Sequence, residues 1–211
     1  MSVLINQLKS LLFSFVIIFA FSCIVLGTVL YFHFSKGIAL DYLTNDPAAI
    51  AKLPVYIGVL SQFGIFFWAS AIAICLFSSL LINNKKHKAF IIASALISML
   101  LGFDDVFMFH ESVFPSLGIH QKIVFLCYAI LLMVYGLKFV KVLLRTDYLL
   151  FVFSVFWFGV SLLVDNFIHS SSPYITKLLE DGAKFIGITS WVFYFARTCK
   201  QMLERETLKS T

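Results

Sequence analysis

Residues 11–32 carry no charged side chain, and five further apolar runs of similar length follow along the chain. A helix needs about 20 mostly apolar residues to cross the hydrocarbon of a bilayer, and inside lipid each backbone N–H and C=O must find its partner within the segment. Runs of this kind restrict the chain to spanning helices. Composition agrees: the chain is 61% hydrophobic and 13% charged, against roughly 45–50% apolar and about 25% charged in a soluble domain. The expectation is an all-α integral membrane protein, a single transmembrane domain over 1–211 forming a six-helix bundle. Its spans are predicted at 11–32, 55–82, 89–109, 119–140, 148–168 and 178–196. The first run reads as an anchor, because a secretory signal core is about 7–15 residues and ends in small residues at a cleavage site. In the loop that follows, Asp46 is expected to cap a short helix with Pro47 at its first position.

Basic residues set the orientation, since Lys and Arg in short loops stay in the cytoplasm. Eleven of the 16 Lys and Arg fall at one set of ends: Lys9, Lys85, Lys86, Lys88, Lys138, Lys141, Arg145, Arg197, Lys200, Arg205 and Lys209. Both termini are therefore expected on the cytoplasmic side of the cell membrane. The acids run the other way, with Asp41, Asp46, Asp104, Asp105, Glu111, Asp165, Glu180 and Asp181 on the outer half. His33, His110, His120 and His169 lie at outer ends as well. Taken singly, each such histidine is an interfacial residue bonded to water or a headgroup.

Ionisable groups inside spans are costly, at roughly 2.5–3.5 kcal/mol each on insertion scales, and they mark functional sites by default. The stretch from Leu101 to Glu111 places Asp104 and Asp105 within an apolar helix and His110 and Glu111 at its end. Counting a rise of about 1.5 Å per residue puts Asp104, Asp165 and Lys184 all on the order of 5–9 Å below the outer surface. One outer pocket can therefore collect them, with Lys184 as the counter-ion, because a lone ammonium there costs as much as a lone carboxylate. Glu180 and Asp181 sit one turn from Lys184. Along a regular helix Asp104 and Glu111 share a face, while Asp105 and His110 point elsewhere unless the end frays; Asp165 and His169 stack at i and i+4.

Asp104, Asp105, Glu111, Glu180, Asp181 and Lys184 are thus the candidate catalytic residues, and His110, Asp165 and His169 the candidate metal ligands. Imidazole with carboxylate suits zinc, iron or manganese. A faint echo of Asp105-to-Pro115 in Asp165-to-Pro173 hints that the third and fifth spans are equivalent. The four cysteines, Cys23, Cys75, Cys127 and Cys199, form no Cys-x-x-Cys pair and read as small apolar packers.

Three function classes fit. The first is a metal-dependent membrane-embedded enzyme acting on a lipid or membrane-soluble substrate from the outer leaflet. The second is a small cation or proton carrier. The third is an accessory or scaffold protein whose polar cluster locks helices together. A carrier needs a polar track through both halves, whereas the inner halves hold mainly serines such as Ser94, Ser98 and Ser154. Nucleic acid is excluded as a partner, because topology already accounts for the loop lysines and no basic folded face exists. There is also no Gly-rich phosphate loop and no G-x-S-x-G elbow.

Overall fold

The structure is a computed structural model that describes residues 2–54, 56–167 and 173–210. Among the described residues every regular element is helical. Internal contacts divide the chain into two units, Met1–Ile57 and Gly58–Thr211.

The first unit holds α1 (Ser2–Lys36), α2 (Leu40–Thr44) and α3 (Pro47–Ile50). α1 is apolar on every side, as a membrane-crossing helix is, with Phe13, Phe19 and Ile24 each at least 67% exposed. Gly37, at φ +66°, turns the chain after it. The His33 ring donates from Nδ1 to the Ile38 carbonyl at 2.8 Å, so one of its nitrogens is committed to this turn. α3 starts as anticipated: the Asp46 carboxylate accepts from the N–H groups of Ala48 and Ala49 at 2.8 and 3.2 Å, with Pro47 inside the first turn.

The second unit holds α4 (Val59–Leu81), α5 (Lys85–Phe107), a π turn over Phe109–Val113, α6 (Phe114–Ser116), α7 (Gln121–Leu143), α8 (Tyr148–Phe167) and α9 (Pro173–Ser210). Asn84 caps α5 through the N–H groups of Lys86 and His87. His120 caps α7 by accepting from Lys122 N–H at 3.2 Å, which gives this histidine a local role rather than one in the polar pocket. α4 and α8 each pack along α9, α5 lies on α4, and α7 touches mainly α5 and the π turn. The core is aromatic: Trp191, Tyr194, Phe90 and Phe195 are fully buried, Trp68 stacks on Phe158, and Trp191 meets both rings edge to face. At the basic end, Arg197 and Gln201 of α9 donate to Asp147 at 2.5 and 3.0 Å. The Arg197 bond holds that carboxyl below its ordinary range.

Among the described residues five helices are long and apolar enough to cross a membrane: α1, α4, α5, α7 and α8. The predicted sixth, α9, is 38 residues long but is not among them, because Glu180, Asp181, Lys184, Arg197 and Lys200 break its apolar run. It also extends about four turns beyond the predicted end at 196, since its polar C-terminal segment continues the helix without a Gly or Pro to stop it.

Two glycines set helix distances. A Cβ on Gly187 would lie 2.8 Å from the Phe158 ring, and one on Gly102 3.0 Å from Trp68 Cβ, whereas one on Gly182 would meet nothing within 4 Å. Phe158 has little room to retreat, being stacked on Trp68 and in edge-to-face contact with Trp191. Gly187→Ala is therefore expected to destabilise the protein by about 1–3 kcal/mol through overpacking, while Gly182→Ala is neutral or slightly stabilising. Thermal unfolding in detergent checks this, and equal midpoints for the two variants would contradict it.

Candidate functional site

The site begins where α5 stops. Met108 adopts the left-handed conformation, φ 50° and ψ 47°, and its N–H bonds back to the Asp104 carbonyl. A β-unbranched but bulky residue there costs on the order of 1–3 kcal/mol, a strain that tends to occur at functional positions. The next residues form a π turn in which Val113 N–H reaches the Met108 carbonyl at 3.3 Å.

This break reverses the facing expected of an unbroken helix. His110 swings back over Asp104, which accepts from His110 N–H at 2.9 Å on Oδ1 and meets the ring Nδ1 at 2.5 Å on Oδ2. Tyr128 of α7 donates to the same Oδ1 at 3.1 Å. Asp104 and His110 are 6% and 8% exposed. A carboxylate only accepts, so Nδ1 carries a proton, and in the neutral form of the ring the lone pair is on Nε2. That Nε2 lies 3.4 Å from Glu111 Oε1, beyond a normal hydrogen bond, and Glu111 is half exposed.

Asp105 points the other way around α5. Its Oδ1 accepts from Lys184 Nζ of α9, and its Oδ2 accepts from the Trp68 indole N–H of α4 at 3.2 Å. Only 9% of the Asp105 side chain is exposed, against 36% for Lys184. Gly102 makes this possible, because the close approach it allows brings Trp68 against α5. Lys184 thus pairs across helices rather than with Glu180 or Asp181 on its own helix. Those two acids are held by Lys177 at 3.2 and 3.5 Å.

All these groups border one space. A cavity of about 460 Å³ is lined by Asp104, Asp105, His110, Glu111, Asp165, Glu180, Asp181 and Lys184 together with apolar residues of α7 and α8. A second, of about 290 Å³, shares Asp104, Asp105, His110, Glu111, Asp181 and Lys184 and adds Lys177. Asp165 is exposed at the cavity edge. Of the nine residues singled out from the sequence, the cavity gathers eight, and His169 lies outside the described residues, as does most of the Asp165-to-Pro173 echo. Among the described residues no group of three or more His, Cys, Asp or Glu is arranged to hold a metal ion.

Trp68 and Tyr128 were not anticipated. The signal was present, since a Trp or Tyr within a span must find an acceptor for its N–H or O–H when buried, and unpaired carboxylates nearby are the strongest acceptors available. Buried hydroxyls toward the basic end are used differently. Ser94, Ser98 and Ser154 donate to the backbone carbonyls of Phe90, Ser94 and Gly187 at 2.7, 2.8 and 2.7 Å.

Fold and site together define an all-helical protein with several membrane-length apolar helices and a polar, partly buried cavity at one end of its larger unit. Residues 12–198 match a protein family described as a domain of unknown function, DUF8692, and the chain belongs to that family. No curated protein and no solved structure matches it.

Proposed function

We propose that the protein is a membrane-embedded enzyme in which Asp104 and His110 form a general acid–base pair acting on a lipid or another membrane-soluble substrate. The observation that carries this is an imidazole bonded through Nδ1 to a buried carboxylate, with Nε2 left over beside an apolar-lined cavity. Nε2 takes the proton of a water or substrate hydroxyl as that oxygen bonds to an electrophilic carbon of the substrate, and the ring returns the proton to the leaving group as the carbon–leaving-group bond breaks. Between those two transfers the positive charge on the ring lies between Asp104 and half-exposed Glu111. Lys184, fixed by Asp105, supplies an ammonium at the cavity wall for negative charge developing on the substrate. Asp165, Glu180 and Asp181 border the head of the bound substrate.

In this reading α9 is the sixth span, both termini are cytoplasmic, and the acid-rich end faces outward in the cell membrane. The pairing of Lys184 with Asp105, and of Lys177 with Glu180 and Asp181, lowers the burial cost of α9's charges. The serines of the other half favour an enzyme over a carrier: their hydroxyls are committed to backbone carbonyls and hold helices together.

The test compares wild-type protein and His110→Gln in liposomes made from host lipid extract, followed by mass spectrometry of all lipid species. Wild type is expected to convert at least one species, and His110→Gln to do so about 10²- to 10⁴-fold more slowly. Identical lipid profiles for the two would overturn the enzyme and leave the scaffold reading. Running the assay after chelation separates a base acting by itself from a site that works through zinc, iron or manganese.

A further inference from the structure

The larger cavity has a second half that the acid–base pair does not use. From α7, Ala129, Leu132 and Met133 line it at i, i+3 and i+4; from α8, Phe151, Val155 and Gly159 line it at successive i+4 steps. Each helix thus turns one apolar stripe toward the same space. Met133 is 63% exposed, and a Cβ built on Gly159 would meet no atom within 4 Å. α7 rests on α5 and the π turn while α8 rests on α9, so the two stripes face an opening. That opening is continuous with Asp104 and His110. A volume of about 460 Å³ sits toward the lower part of the roughly 300–1,000 Å³ range of small-molecule sites, which is room for one hydrocarbon chain.

Charge selects the head of such a molecule. Six carboxylates line the cavity, Asp104, Asp105, Glu111, Asp165, Glu180 and Asp181, against Lys184, His110 and the Lys177 that pairs with Glu180 and Asp181, so acids still outnumber bases. Lys184 is already engaged by Asp105. An anionic head would meet like charge on entry, whereas a cationic one meets its complement.

We propose that the cleft between α7 and α8 holds the single hydrocarbon chain of a membrane amphiphile whose head, placed beside Asp104 and His110, is a protonated amine. This names the substrate class of the enzyme proposed above and rests on that reading for what happens to the ligand, though not for its binding. Small residues at Ala129 and Gly159 keep the entrance open, and the acids at the polar end exclude fatty acids and phosphate-headed lipids.

The experiment uses full-length protein in neutral phosphatidylcholine vesicles and three photoreactive probes that carry a diazirine on a hexadecyl chain: an amine, an alcohol and a carboxylate. Labelled peptides are mapped by mass spectrometry. The amine is expected to label α7 and α8 saturably, with unlabelled hexadecylamine competing, and at about tenfold lower concentration than the carboxylate. Gly159→Phe, and independently Ala129→Phe from the opposite wall, are expected to weaken that labelling about tenfold. Equal labelling by the three probes overturns the proposal, and so does labelling that neither variant changes. His110→Gln distinguishes the two readings: saturable amine labelling with no lipid turnover in wild type overturns the enzyme alone, while turnover lost in His110→Gln alongside head-indifferent labelling overturns the amine alone.

Discussion

Asp104→Asn is expected to lower turnover by about 10²- to 10⁴-fold, the range for loss of a positioned acid–base group, without unfolding the bundle. Asp104 accepts three hydrogen bonds, from His110 N–H, from the His110 ring and from Tyr128. An amide has one oxygen and one NH₂, so it can serve the backbone and Tyr128 only by turning its NH₂ toward Nδ1. The ring then takes the other tautomer, its proton moves to Nε2, and the lone pair needed at the cavity is gone. Nitrogen NMR of the labelled imidazole reads the tautomer directly, beside the lipid assay. An unchanged tautomer with reduced turnover would remove this explanation. Tyr128→Phe is the companion measurement: it deletes one neutral donor to an oxygen that keeps the His110 N–H, so stability should fall by only about 0.5–1.5 kcal/mol and the tautomer should stay as in wild type.

Lys184→Met is expected to cost about 2–3 kcal/mol of stability, below the ~3–5 kcal/mol for breaking a fully buried pair, because 36% of the Lys184 side chain reaches solvent. It strands a carboxylate that is only 9% exposed, leaving it the Trp68 N–H alone. Asp105→Asn should cost less, since Lys184 can turn its ammonium toward water and the Trp68 donor keeps an acceptor. The double variant should recover most of the loss. Denaturant unfolding in detergent micelles gives the three values, and an Asp105→Asn penalty as large as that of Lys184→Met would show that the pair is not organised around a buried carboxylate.

Five apolar helices were readable because a run of about 20 apolar residues stands out by length and polarity alone, although α1 begins at Ser2, well before its apolar run. The sixth run was harder. Between Lys184 and Arg197 lie only 12 residues without a charge, so α9 satisfies periodicity but not a hydropathy threshold. That the acids, His110 and Lys184 share one space was also legible, from equal depth and from the cost of a lone buried charge. Their pairing was not. A periodic reading carries α5 straight through to Phe109 and puts His110 on the wrong side of Asp104. Met108 ends the helix four residues after Asp104 in a conformation usually taken by Gly or Asn, and no turn residue marks the spot. Helix-end geometry of this kind is decided by the bond His110 makes with Asp104, a tertiary-like contact at short range. The same holds for His120, whose role as a cap for α7 depends on where that helix starts.

Adjacent carboxylates have taken partners at very different chain separations: His110 is six residues from Asp104, whereas Lys184 is 79 from Asp105. Closing the short loop requires little entropy, and closing the long one is recovered only through the packing of α4, α5 and α9. Detergent or heat that slackens helix packing will therefore part Asp105 from Lys184 while the imidazole still rides on Asp104. A preparation can in that way show a normal histidine signature after the cavity has come apart, and the Lys184 contact reports whether the cavity is whole.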